Sequence, residues 1–418
     1  MNELTAFILS PQGIRTRAQQ IYQLALEGKT HFEIHEHKLT EVSDFVLQVI
    51  AENYPDKNVP YHSRWRHYEV GNQSQLKQLR AIEQPLTPTE RAKLGLDLIL
   101  PSVLVDAGAG SDWQYSSSNS VTVGRSEGLG LASLDMFLAG GLSHNKKSHQ
   151  KKVETTAAGL KAISVESFSE HFTVSNNNPL LGVEGRVQLL RSLGEAILAQ
   201  PSIFPNQRPG DLVDYVLTHY QYTPTASQIL TMVITFLGNI WPGRLILDGT
   251  NLGDTWAYSP LREGSLGEGS LGEGPLGEGA QSYVPFHKLS QWISYSVIET
   301  LANNGFTVTG VEELTGLAEY RNGGLMLDSG LISLRNPANA DTLWAPGSEI
   351  IIEWRALTIC LLDKIAGKIV QSLNTTAAQF PLAKVLEGGT WAAGRKLALQ
   401  KRNNLTPPLN IQSDATVF

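Results

Sequence analysis

The sequence predicts a mainly α fold with minor β, a large helical architecture carrying short strands. Three observations lead there. Apolar residues recur at helical spacing, strand-like runs are few and short, and the longest apolar stretch, Ile229–Ile240, has only about 12 residues. Taken in order, Ile14–Leu26 is an amphipathic helix closed by Gly28. Thr40–Ile50 follows, with Val42, Phe45, Val46 and Val49 on one face. In Thr87–Leu104 a proline and carboxylate-flanked threonines open a helix that turns apolar toward its end (LGLDLILPSVLV). Further helices are expected at 126–139, 185–199, 209–219, 225–240, 286–303, 348–372 and 389–402. Strands are expected at Arg244–Leu247, Phe306–Val308, Leu331–Leu334 and Leu409–Ile411.

The Pro/Asn-rich stretch PSIFPNQRPG divides the chain near residue 205, into parts 1–205 and 206–418. Residues 141–156 (GLSHNKKSHQKKVETT) have the composition of a solvated loop. The fourfold pentapeptide repeat LREGS-LGEGS-LGEGP-LGEGA, at 261–280, is expected to be a flexible loop. Its glycines oppose regular helix and its glutamates keep it wet; one carboxylate per five residues makes a poor calcium cage.

The 418 residues carry 33 basic and 40 acidic side chains, a net charge of −7, with 41% hydrophobic residues. Such a chain buries a large core without staples, and Cys360 has no intrachain partner, so disulfide scaffolding is excluded. A pI near 5.8 argues against a nucleic-acid partner, while phosphate-bearing small molecules need only two or three local cations. The apolar runs fall well short of the ~20 residues that span a bilayer. With no basic n-region at the start, the expected setting is cytoplasmic, away from membranes.

Five stretches concentrate chemistry. YHSRWRHYEVG gathers His62, Arg64, Arg66 and His67 around Trp65 and Tyr68; guanidinium forks suit phosphate oxygens, although a surface cationic patch has the same composition. DAGAGSDW with GRSEG supplies Asp106, Asp112 and Glu127 beside small residues that let a ligand approach the backbone. Ser126 is expected to cap a helix beginning at Glu127, aiming N–H groups at an anion; a tight turn plus cap is the plain alternative. Neither GxGxxG nor GxxxxGK[ST] is present. In RLILDGTNLGDTWAY a short strand delivers Asp248 into a Gly-rich turn, with Asp254 and Trp256 beyond. Paired carboxylates with split pKa values divide acid and base roles, while Asx-turn chemistry alone also explains Asp248 and Asn251. In GLAEYRNGGLMLDSGL, Glu319, Tyr320 and Arg321 cannot all face one way on a helix. In GSEIIIEWRALTICLLD, Ser348 is expected to cap a buried helix in which Glu353 and Arg355 each need a partner or a ligand. His31, His35 and His37 mimic metal-ligand spacing, but no third cluster completes a zinc set; no metal or cofactor is expected. His287, ahead of an apolar helix, is a pocket candidate.

HSRWRHYEVG, DAGAGSDWQY with GRSEGLGLAS, LDGTNLGDTW, LTGLAEYRNGGL and VLEGGTWAAGR, together with the ending IQSDATVF, resemble the uracil catabolism protein 4 family (DUF1688) from about residue 10 to 418. The LGEG repeat stands outside that pattern. The last third is also similar to the queuosine-salvage N-glycosidases, which cleave a base from a ribose 5′-phosphate in a helical, DNA-glycosylase-like fold. Gly253-Asp254-Thr255-Trp256, Ala318-Glu319-Tyr320-Arg321, and Gly347-Ser348 with Glu353-Trp354-Arg355-Ala356 match their motifs in order. The second motif departs in carrying Glu319 for an aspartate.

These resemblances imply an enzyme of pyrimidine degradation that hydrolyses the N-glycosidic bond of a ribosylurea-type nucleotide, releasing urea and ribose 5-phosphate. Asp254 and Glu319 are the candidate catalytic carboxylates. Asp248 is a candidate for the ribose hydroxyls, and Arg64, His67 and Arg125 for the phosphate. Trp256, Tyr320, Arg321, His287, Asp106, Glu127 and Glu353 complete the candidate substrate-binding set. Two alternatives stay open: an amide hydrolase that opens a UMP-derived ring, and a non-catalytic partner of the pathway's enzymes.

Overall fold

The computed structural model describes residues 2–70, 75–106, 108–110, 112–117, 122–144, 152–241, 245–263, 280–402 and 405–412. Helices dominate, and among the described residues the strands, none longer than three residues, form two-stranded sheets. The chain divides into two compact units, each assembled from separated stretches. The first comprises Met1–His62, Pro242–Gln291 and Gly310–Phe418; the second comprises Ser63–Trp241 and Trp292–Thr309. The division near residue 205 is a different partition, falling inside the second unit.

The first unit is organised by the helix Glu349–Ser372, whose residues from Ile350 to Leu362 are all buried. A helix buried on every side belongs at a core, and Pro11–Leu26, Leu39–Asn53 and Tyr320–Asp328 pack around it. Ser10 caps the first of these, its Oγ accepting the Gly13 N–H at 3.0 Å, with Pro11 in the first turn and Gly28 in the left-handed region just beyond the end. The helix Trp391–Arg402 crosses Tyr320–Asp328 at Gly394, where a Cβ would stand 2.3 Å from the Arg321 carbonyl oxygen; only glycine permits that approach. Ahead of it, Leu386–Thr390 forms one wide π turn.

In the second unit Thr87 and Glu90 form a reciprocal capping box at the start of Pro88–Leu104. Asp97 in this helix is fully buried and accepts the N–H groups of Gly210 at 2.7 Å and Thr155 at 3.3 Å, besides pairing with Arg208. Burial pushes its carboxyl up to about 6 despite Arg208. Arg125–Leu138, Val183–Leu198, Leu212–Tyr220 and Ala226–Leu237 complete the frame.

The mainly α expectation holds. The helical period missed Glu3–Ile8, Lys77–Glu83, Ala157–Ala162 and Val165–His171, which are too short to build a periodic stripe, and the nine-residue Tyr320–Asp328, whose paired glycines interrupt it. Phe306–Val308 is not a strand; it runs extended to Thr309, which makes a single bridge to Thr225. Strands form also at Phe32–Ile34, Gln114–Ser116, Thr122–Gly124, Thr255–Ala257 and Tyr283–Pro285, where three residues are too few for an alternation to stand out. Ser348 sits at the N-cap position of its helix, yet its side chain makes no capping bond. Most of the LGEG repeat (264–279) and the centre of the basic stretch (145–151) lie outside the described residues. Among the described residues no helix is long and apolar enough to cross a membrane.

Candidate active site

In the first unit the motif NLGDTW becomes a turn running into a strand. Asn251 Oδ1 accepts the Gly253 N–H at 2.9 Å, and Gly253 takes φ +58, so the chain reverses and presents Asp254. Thr255–Ala257 then pairs antiparallel with Tyr283–Pro285, and the Asp254 carbonyl accepts the N–H groups of Phe286 at 2.9 Å and His287 at 3.4 Å. The Asp254 carboxylate is saturated. Oδ1 accepts Arg355 Nη1 at 2.8 Å and Trp256 Nε1 at 2.8 Å; Oδ2 accepts Arg355 Nη2 at 2.7 Å and the Lys288 N–H at 3.1 Å. Burial alone would push this carboxyl up, but the Arg355 guanidinium and the Trp256 N–H hold it well below the ordinary carboxylate range. The ionised form is thus the one these partners favour, with 15% of the side chain still exposed.

Arg355 ties the site together. It is 1% exposed, lies 4.0 Å from the Phe286 ring centroid, and donates Nε to the Ala318 carbonyl at 3.2 Å, one residue before Glu319. Gly347 lets the Trp256 indole lie against the chain, since a Cβ there would stand 2.8 Å from the ring. Two predicted residues, Asp254 and Trp256, thus meet directly, and Arg355 grips the same Asp254 carboxylate.

His287 is 2% exposed and takes a left-handed backbone, φ +47, which is unusual outside glycine. Its Nε2 donates to the Ile8 carbonyl at 3.0 Å, and a carbonyl only accepts, so Nδ1 of the neutral ring carries the lone pair. Burial lowers its pKa, Asp254 notwithstanding. Glu353 is held by His31, whose backbone N–H and Nδ1 both reach Oε2 at 2.8 Å, and by Tyr258 Oη at 2.8 Å from Oε1. Burial raises the Glu353 carboxyl against these bonds.

Glu319 caps the helix Tyr320–Asp328: its oxygens accept the N–H groups of Arg321 and Asn322, each at 2.6 Å. Beyond it, Arg321 is 4% exposed, stacks 5.0 Å from the Tyr320 ring and donates Nη2 to the Leu405 carbonyl at 3.3 Å. Asp248 lies apart on the exposed turn between Ile246–Leu247 and Thr250–Asn251, taking φ +47 and accepting the Asn2 side chain.

The remaining predicted residues belong to the second unit. Arg64 is fully buried, donating Nε to Ser102 Oγ at 2.7 Å and Nη1 to His67 Nδ1 at 2.9 Å and the Ser126 carbonyl at 3.2 Å. Asp106 Oδ2 lies 3.3 Å from Arg64 Nη1. The helix expected to start at Glu127 starts instead at Arg125, with Gly124 at the N-cap, so Ser126 is not its N-cap residue. Glu127 sits in its first turn, and Arg125 takes φ +55. The letters GRSEG also match the serine elbow G-x-S-x-G, but there the strain falls on the serine, whereas here it falls on Arg125.

Sequence reasoning missed Tyr258 and His31 as partners of Glu353. It also missed Glu387 on the π turn, which accepts His62 Nδ1 at 2.7 Å and Tyr54 Oη at 3.3 Å. The signal was VLEGGTWAAGR, where a lone carboxylate directly precedes paired glycines. Among the described residues no group of three or more His, Cys, Asp or Glu side chains could hold a metal ion; His35 instead bonds Ser333 Oγ at 2.8 Å. Burial pushes the Cys360 thiol up to about 12, which does not suit a nucleophile.

The chain is 36% identical over 426 residues to protein urg3 of Schizosaccharomyces pombe, a match covering all of this chain and 99% of that one. It is 33% identical over 449 residues to uracil catabolism protein 4 of Lachancea kluyveri, covering 99% and 98%. The family described as a protein of unknown function (DUF1688) matches residues 7–418, which contain every residue of both clusters, and the chain belongs to that family.

Proposed function

We propose that the protein is an enzyme of uracil catabolism that hydrolyses the N-glycosidic bond of a ribosylurea-type nucleotide. The role in uracil catabolism rests on the name carried by the Lachancea kluyveri relative. The reaction rests on one observation: Asp254, a carboxylate fixed in its ionised form, partly exposed beside the Trp256 indole.

Breaking the C1′–N bond builds positive charge on the ribose, and a preorganised anion stabilises it without reorganising. With its lone pairs held by Arg355, Trp256 and Lys288, Asp254 suits that electrostatic role better than a proton transfer. Water then adds to C1′, one of its protons passes to a base, and the leaving nitrogen gains a proton to depart as urea. His287, neutral with its Nδ1 lone pair unoccupied by the Ile8 bond, is the better base in this reading. Glu319 keeps a supporting role, since both its oxygens already cap a helix.

The test is an assay of the purified protein on ribosylurea 5′-phosphate, ribosylurea and UMP, following urea, reducing sugar and ring absorbance. Urea and ribose 5-phosphate released together from the first substrate are the expected result. Loss of UMP absorbance without sugar release would move the protein to ring opening instead.

A further inference from the structure

We infer that the segment Asn2–Leu9 is a strap on the candidate site, holding His287 at one end and occupying Asp248 at the other until a ribose phosphate displaces it. For its ligand the inference rests on the glycosidase reading; for the strap it rests on bonds within the first unit.

One short helix joins two site candidates that are distant in sequence. Glu3–Ile8 has six residues, a length of about 9 Å at 1.5 Å per residue. Just before it, the Asn2 amide donates to the exposed Asp248 carboxylate. At its far end the Ile8 carbonyl accepts His287 Nε2 at 3.0 Å, and the helix packs on Tyr283–Pro285, the strand that leads to His287. Asp248 and His287 both take φ +47, which few residues other than glycine do, and such strain persists where the surroundings hold it.

The two ends are held unequally. Ile8 is fully buried and Leu9 nearly so, and a Cβ at Gly13 would collide with the Phe7 carbonyl, so the chain here lies close against the start of Pro11–Leu26. At the other end Asn2, Glu3 and Asp248 are exposed, and an amide bonded to a solvated carboxylate contributes little. A six-residue helix is not stable by itself. Its first turn depends on that bond and on the Asn2 cap, whose Oδ1 accepts the Thr5 N–H at 2.7 Å. The strap therefore opens at Asn2 while Ile8 keeps the His287 ring in place. What displaces Asn2 must offer donors to a carboxylate, and vicinal ribose hydroxyls offer two. A ribose phosphate whose sugar docks on Asp248 lifts the strap as it enters, and its departure lets the amide return.

The experiment is residue-resolved hydrogen exchange of the whole protein, followed at Ala6 and Ser10, whose N–H groups donate to the Asn2 and Phe7 carbonyls at 3.0 Å. Saturating ribose 5-phosphate should speed exchange at Ala6 about fivefold and leave Ser10 nearly unchanged. Unchanged or slower exchange at Ala6, or no binding of ribose 5-phosphate by calorimetry, overturns the inference. Asn2→Asp keeps a capping carboxylate but sets it against Asp248, and should give the fast exchange without ligand. Adding Asp248→Asn to that variant restores a donor–acceptor pair and should slow Ala6 again; fast exchange that persists overturns the latch. Asn2→Ser also keeps a cap but is too short for Asp248, and its KM for ribosylurea 5′-phosphate should fall about threefold with kcat within about twofold of the unmodified protein. A lower kcat with KM unchanged overturns the strap and leaves Asn2 a helix cap. Should the unmodified protein release no urea from ribosylurea 5′-phosphate, the glycosidase reading falls, and exchange with ribose 5-phosphate still decides the strap.

Discussion

Two buried arginine–aspartate pairs, one in each unit, share chemistry and differ in completeness. Arg355 grips Asp254 with both terminal nitrogens, and indole and backbone donors fill the rest of the carboxylate. Arg64 meets Asp106 through one nitrogen and one oxygen, leaving a donor and an acceptor open. A buried charge is costly without its full set of partners, so the saturated pair is a finished electrostatic fixture and the half-made pair carries a residual cost. Completeness of hydrogen bonding, more than residue identity, separates the two pairs.

Breaking the saturated pair should have the largest effect. Arg355→Met strands the Asp254 carboxylate, and urea unfolding is expected to show a loss of about 3–5 kcal/mol. Adding Asp254→Asn to that variant should restore part of it; no restoration would mean that Arg355 acts mainly through Phe286 and Ala318. Asp254→Asn alone keeps the shape and removes the anion. Turnover of ribosylurea 5′-phosphate should then fall on the order of 10²–10³-fold, with KM little changed.

His287 sharpens the comparison through pH. Its folded pKa is depressed, so the neutral ring and its stabilising contribution are present above the ordinary histidine value and are lost as pH falls through the lowered one. Activity should show an acid limb below the ordinary histidine range, and His287→Gln should abolish that limb along with about 10²-fold or more of the rate. An unchanged acid limb in the variant would remove His287 from the mechanism. Smallest is Glu319→Ala, which deletes a helix cap and should cost about 1 kcal/mol in thermal or urea melts. If it abolishes turnover while Glu319→Gln retains it, the cap positions Tyr320 and Arg321 and is not itself an acid or base.

The helices were legible because their apolar residues repeat at the helical period. Val42, Val46 and Val49 are buried together, as their spacing requires. The strands were not, because two or three residues hold no period, and Thr255–Ala257 exists only through its pairing with residues near 284. The site followed the same rule. Asp254 and Trp256 were found as neighbours in sequence, and Arg355 was noticed as a charge in an apolar run. That Arg355 bonds Asp254 from about 100 residues away, or that Glu387 meets His62, is long-range information that no local pattern carries. Glu319 was a catalytic candidate through the resemblance alone, and that it also caps a nine-residue helix was not visible in the local pattern.

The interrupted build of the first unit sets a timetable for synthesis. Its opening stretch ends at His62 and its next contribution begins at Pro242, roughly 180 residues later. At about 5–20 residues per second a ribosome needs on the order of 10–40 s to cover that gap. Through it, the apolar side of Pro11–Leu26, with Ile14, Ile21 and Tyr22, waits for Glu349–Ser372, the last long helix but one to emerge. Until then that apolar side lacks its long partner helix, and a slow codon run between the two stretches would lengthen its exposure.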